Sequence, residues 1–168
     1  MLPARLRAFF APACLASLGV LLASFQLESS LGLLPCPLCL SQRLLLGVYA
    51  LICFAAAVHG PGVRGTLRYA RLALASATAG VFLAARHVWL QGADNFFDEC
   101  PMSIWGLLDS PWDEAASQLL LGGPDCSAMT WSFLDLTLPE WSMLAFLCLA
   151  ALPLICLLAY RFRTLGRI

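Results

Sequence analysis

The chain has 168 residues, of which 61% are hydrophobic and only 12% charged, whereas a soluble domain carries about 25% charged residues. That composition excludes an ordinary soluble domain and points to a membrane protein. Ten basic residues balance ten acidic ones, which argues against a nucleic-acid partner, because that role calls for a basic patch.

Four apolar stretches are long enough to cross a bilayer, which takes about 20 helical residues. They run roughly over Phe10–Ser29, Leu40–Val58, Leu72–Leu90 and Trp141–Tyr160. The expectation is an all-α membrane protein, a four-helix transmembrane bundle that uses residues 1–168 as one domain. Arg5 and Arg7 precede the first span, Arg64, Arg68 and Arg71 lie between the second and third, and Arg161, Arg163 and Arg167 follow the fourth. Cytoplasmic flanks collect such residues, so both termini are expected in the cytoplasm. All ten acidic residues fall at or beyond the opposite ends of the spans. The five tryptophans, Trp89, Trp105, Trp112, Trp131 and Trp141, lie on or near that outer side, as an interfacial aromatic belt requires. A competing reading makes residues 1–24 a cleaved signal peptide, but the apolar run is long for an h-region of about 7–15 residues.

The first outer loop, from Ser30 to about Cys39, is short. The second, residues 91–140, is long, acidic and without lysine or arginine. Within it Trp112, Ala116, Leu119 and Leu120 recur at helical spacing beside Asp113 and Glu114, which predicts a short amphipathic helix on the membrane surface. The alternative is an irregular loop packed on the helix ends.

The eight cysteines divide by depth. Cys14, Cys53, Cys148 and Cys156 lie within spans, where a thiol packs as a small apolar side chain. Cys36, Cys39, Cys100 and Cys126 all fall on the outer side, where disulfides form and persist if the host is a bacterium. Cys36-Pro37-Leu38-Cys39 sits where the first outer loop enters the second span. With Cys39 in the first helical turn, the unpaired backbone N–H groups and the helix dipole favour its thiolate form. Arg43 follows four residues later on the same face and adds a fixed positive charge; the alternative is that it snorkels to the headgroups. Cys100 and Cys126 enclose part of the long loop and fit either a structural staple, worth about 3 kcal/mol, or a redox disulfide able to exchange with the nearby dithiol.

Four spans with both ends inside, Cys36-Pro37-Leu38-Cys39 followed by Arg43, and Cys100 with Cys126 in the long second loop together resemble the bacterial disulfide bond formation protein B (DsbB) family. The resemblance covers essentially the whole chain. It implies an enzyme of the bacterial inner membrane, with its active site on the periplasmic side, that reoxidises a DsbA-like thiol oxidase and passes the electrons to a membrane quinone, ubiquinone or menaquinone. By the same resemblance Cys100 and Cys126 exchange with the partner, and Cys100 holds the transient mixed disulfide. Cys126 then attacks the Cys36–Cys39 disulfide at Cys36, which leaves Cys39 as the thiolate facing the quinone. Arg43 matches the family's quinone-holding arginine, and His87 a position near the quinone. The four span cysteines have no counterpart in the family's functional set.

Two other classes compete with this reading. The four outer cysteines could hold zinc, although their spacing does not form paired knuckles and no metal is expected. Alternatively, the protein could be purely structural, with inert outer cysteines. A haem-bearing electron carrier is excluded, because His59 and His87 sit at opposite membrane faces and cannot ligate one haem.

Overall fold

A computed structural model of the chain describes residues 9–32, 36–92, 111–122 and 132–165. Within them run α1 (Phe10–Leu31), α2 (Pro37–His59), α3 (Val63–Gly92), α4 (Trp112–Leu121), a hairpin of β1 (Ser132–Phe133) and β2 (Leu136–Thr137), and α5 (Leu138–Leu165). α1, α2, α3 and α5 are each long and apolar enough to cross a membrane. α2 packs between α1 and α3, α3 packs most extensively on α5, and α1 touches α5, closing the bundle.

Small residues make up much of the bundle's inside, beside Leu46, Tyr49, Phe146 and Leu149, and large apolar ones cover its outside. Ala13, Ser17, Ala50, Cys53, Ala56, Ala70, Ala73, Ala77 and Ala84 are buried, while Leu15, Leu22, Leu51, Phe54, Phe82 and Ile155 point outward. A soluble bundle would reverse this arrangement. In lipid, a leucine gains nothing by leaving a medium as apolar as itself, so helices associate through small side chains that let their backbones approach. Gly80 marks the tightest approach: a Cβ there would lie 2.3 Å from the Phe146 ring.

Pro153 interrupts α5. It has no N–H for the carbonyl four residues earlier, that of Leu149, and the fully buried Tyr49 of α2 donates its hydroxyl to this oxygen at 2.9 Å. The bond satisfies a carbonyl that lipid could not. Tyr49→Phe is therefore expected to destabilise the bundle by about 1 kcal/mol. Thermal unfolding in detergent should show this as a Tm about 2–4 °C lower.

The structure departs from the sequence reading in four places. α3 begins at Val63, not near Leu72, so Arg64, Arg68 and Arg71 occupy its first turns rather than a connecting loop. The helix expected beside Asp113 exists, but Ala115, Gln118 and Leu119 are its half-buried positions, whereas Trp112 is 85% exposed and Leu120 is also exposed. The packing face is rotated because α4 docks by its C-terminal end. Cys14, Cys53 and Cys156 join the core as expected, but Cys148 faces outward and packs nothing inside the bundle. The small antiparallel hairpin, pairing Ser132 with Thr137 and Phe133 with Leu136, had no strong signal in so short a segment.

Candidate redox site at one end of the bundle

The Cys-Pro-Leu-Cys segment begins α2 in a manner its residues dictate. Cys36 is the N-cap, with extended backbone, and Pro37 takes the first helical position, where its fixed φ suits the helix and its missing N–H costs nothing. The Cys36 sulfur then serves as the capping acceptor for the Cys39 N–H at 3.4 Å. This geometry folds the two side chains onto one another, and their Sγ atoms lie 3.0 Å apart, about one ångström beyond an S–S bond of ~2.05 Å. Both sulfurs are half-buried.

His87, buried near the end of α3, brings Nε2 to 3.7 Å from Cys36 Sγ. Its other nitrogen, Nδ1, lies 3.4 Å from Gln42 Nε2. Gln42 is buried on α2, and its Oε1 accepts a 2.6 Å bond from the Ser142 hydroxyl on α5. One polar chain thus crosses three helices and ends at the cysteine pair. Cys36, Cys39 and His87 also present three donor atoms within 4.8 Å of one another, a set that could hold a thiophilic cation when both sulfurs are reduced.

α4 covers this end. Ser41 Oγ lies 2.7 Å from the Leu119 carbonyl and Arg86 Nε donates to the Leu121 carbonyl at 3.2 Å, so side chains of α2 and α3 satisfy acceptors that the last turn of a helix leaves open. Gly122 follows at φ 82°, and a Cβ there would meet both Leu38 and Leu90 at 2.7 Å. Leu38, inside the cysteine motif, is fully buried beneath it. Arg86, one of two arginines near this end among the described residues, therefore has a structural task in clamping α4.

The other, Arg43, turns to α1. Its Nη1 pairs with Glu28, its Nη2 donates to the Ser24 carbonyl at 3.2 Å, and its guanidinium carbon lies 4.8 Å from the centre of the Phe25 ring. The pair is mostly shielded, with side chains 17% and 27% exposed. Arg43 lies one turn beyond Cys39, at a rim formed by α1 and α2.

Of the residues singled out from the sequence, Cys36, Cys39 and His87 come together and Arg43 stands beside them along α2. Cys100 and Cys126 lie outside the described residues. Sequence reasoning missed Gln42, Ser142 and the pairing role of Glu28. A glutamine adjoining an arginine in an apolar span was a signal for the first; Ser142 carried none.

Comparison with known proteins adds the family context. The sequence profile of the family described as disulfide bond formation protein DsbB matches residues 6–156. Disulfide bond formation protein B 2 of Pseudomonas putida is 70% identical over 167 residues, 99% of each chain. The protein of the same description from Pseudomonas entomophila is 61% identical over 94% of each chain. Disulfide bond formation protein B 1 of Pseudomonas aeruginosa is 37% identical over 83% of this chain and 87% of its own.

Proposed function

Because the chain belongs to the DsbB family of disulfide bond formation proteins and is a multi-pass membrane disulfide oxidoreductase, we propose that it reoxidises a DsbA-like periplasmic thiol oxidase and delivers the electrons to a membrane quinone. The observation that carries this reading is the closely apposed Cys36–Cys39 pair beside His87 at one bundle end. We place that end at the periplasmic face of the bacterial inner membrane, with both termini cytoplasmic. Glu28, Asp113, Glu114, Asp135 and Glu140 gather there, while Arg64, Arg68, Arg71 and Arg161 lie at the other end, as the positive-inside rule requires. Trp89 and Trp112 are exposed at the same end, in keeping with an aromatic belt.

The proposed sequence begins when a partner thiolate attacks the Cys100–Cys126 disulfide at Cys100 and releases Cys126 as a thiolate. A second partner thiolate resolves the mixed disulfide, so the partner leaves oxidised and Cys100 becomes a thiol. Cys126 attacks Cys36; the Cys36–Cys39 bond breaks and its electron pair leaves on Cys39. Cys39 is a good leaving group because it sits at the start of α2, and exchange rates follow the stability of the departing thiolate. Cys100 then attacks Cys126, restoring the loop disulfide and returning Cys36 as a thiol.

A quinone at the rim fits the residues present. The Arg43 guanidinium has five N–H donors and spends one on Glu28 and one on Ser24, and the half-exposed Phe25 ring offers an apolar face. Arg43 would hold it beside the cysteine pair that His87 faces, and when bound it supplies the two-electron oxidant for the reduced Cys36–Cys39 pair. The acceptor must lie above the partner in potential, since a DsbA-type oxidase stands near about −120 mV.

The test is oxidation of reduced DsbA by the purified full chain with ubiquinone or menaquinone. Cys100→Ser and Cys126→Ser are each expected to lose turnover by at least ~10³-fold, as when one member of a catalytic unit is removed. Retention of turnover by both variants would sink the proposal. A second reading, cation binding by Cys36, Cys39 and His87, predicts instead that added zinc is retained by the reduced chain and released when the pair is oxidised.

A further inference from the structure

We propose that Ser142 and Gln42 are positioning residues that set the tautomer of His87, so that its Nε2 carries the proton and presents an N–H to the cysteine pair. The inference rests on the polar chain alone and needs neither the partner nor the quinone of the preceding proposal.

The polar chain starts at α5. Ser142 Oγ lies 2.6 Å from one terminal atom of the Gln42 amide, a separation normal for O–H···O and shorter than N–H···O bonds ordinarily reach. The atom facing the hydroxyl is therefore the amide oxygen, and Ser142 donates. The amide nitrogen, which can only donate, is left facing His87 Nδ1 at 3.4 Å. Nδ1 must accept, so a neutral imidazole holds its proton on Nε2. That nitrogen lies 3.7 Å from Cys36 Sγ and within 4.8 Å of Cys39 Sγ.

The direction of this chain decides what His87 does. An N–H aimed at the sulfurs stabilises negative charge on whichever of them departs as a thiolate. The opposite tautomer would point a lone pair at the same charge. Gln42 and His87 are both buried, so the local polar partners, rather than bulk water, select between the two. Neither Gln42 nor Ser142 needs to touch a reacting atom. Their effect passes through the imidazole.

The experiment uses the full chain in detergent with Cys100→Ser and Cys126→Ser, leaving Cys36–Cys39 as the disulfide to be followed. Long-range proton–nitrogen NMR of ¹⁵N-histidine-labelled protein at a pH where His87 is neutral reads its tautomer, and His87→Asn assigns the signals apart from those of His59. In parallel, single-turnover reduction by dithiothreitol is timed: a dithiothreitol thiolate attacks Cys36, Cys39 departs as thiolate, and the second dithiothreitol thiol closes the reagent's own disulfide. The expected result is the Nε2–H form in the unsubstituted network. In Ser142→Ala the amide loses its fixed orientation, the tautomers mix, and reduction slows about 5- to 10-fold, the scale of one lost hydrogen bond; Ser142→Thr restores both readouts. An Nδ1–H form in the unsubstituted network overturns the proposal. So does Ser142→Ala with an unchanged tautomer, or with a changed tautomer and an unchanged rate. Failure of quinone turnover in the DsbA assay would leave these readouts untouched, so the two proposals fail separately.

Discussion

Cys39→Ser is expected to abolish multiple turnover with quinone, a loss of at least ~10³-fold, while preserving one stoichiometric oxidation of reduced partner per chain. The asymmetry follows from the proposed order of exchange. The loop disulfide of Cys100 and Cys126 meets the partner first and can be reduced once without help. Regeneration then requires a disulfide for Cys126 to attack, and a serine at position 39 leaves Cys36 with none. In the proposed order the electron pair goes to Cys39, because Cys126 attacks Cys36 and Cys39 is the sulfur released; both lie at the start of α2, Cys36 as its N-cap and Cys39 in its first turn. Rapid-quench thiol counting with an excess of reduced DsbA checks this directly. More than one partner oxidised per Cys39→Ser chain would overturn the assignment.

The second large effect concerns the Arg43–Glu28 pair. Arg43→Ala is expected to raise the KM for quinone by about 10- to 100-fold, the value of a charge-assisted hydrogen bond, and also to destabilise the bundle. The two losses have different causes. Quinone use suffers because the rim loses its N–H donors, whereas stability suffers because Glu28 is left as an unpaired carboxylate at a membrane helix end. Stranding a fully buried charge costs about 3–5 kcal/mol; at 17% and 27% exposure water offsets part of that, so about 1–3 kcal/mol is expected. Arg43→Ala with Glu28→Ala should therefore recover much of the lost Tm without recovering the KM. If the double variant regains the quinone KM, Arg43 is a structural residue and the rim is not the quinone site.

These predictions draw unequally on sequence and structure. The membrane class, the four spans and the division of arginines from acidic residues were legible in the chain, because hydrophobic length and flanking charge are local properties that a bilayer reads segment by segment. Cys36 and Cys39 were legible for the same reason: three residues apart at a helix start, they must meet. The exact ends were less so. α3 extends through Val63 to Leu72 despite its arginines, since a helix can continue past the hydrocarbon edge wherever its side chains reach water.

Tertiary structure decided what depends on contacts between helices. In the sequence only the family resemblance points to His87, and its place at 3.7 Å from Cys36 comes from the packing of α3 on α2. Arg43 was expected to address Cys39 along its own helix, yet it spends two donors on Glu28 and Ser24 of α1; a cation at a membrane end takes the nearest anion, and which anion is nearest is a matter of packing. The same holds for Ser142, which is 100 residues from Gln42 in sequence and 2.6 Å away in space. Sequence alone thus determined which segments are long and apolar enough to cross a membrane and which two cysteines meet at the start of α2. The fold determined the polar surroundings of that pair, because hydrogen bonds are short and directional and no spacing along one helix specifies a partner on another.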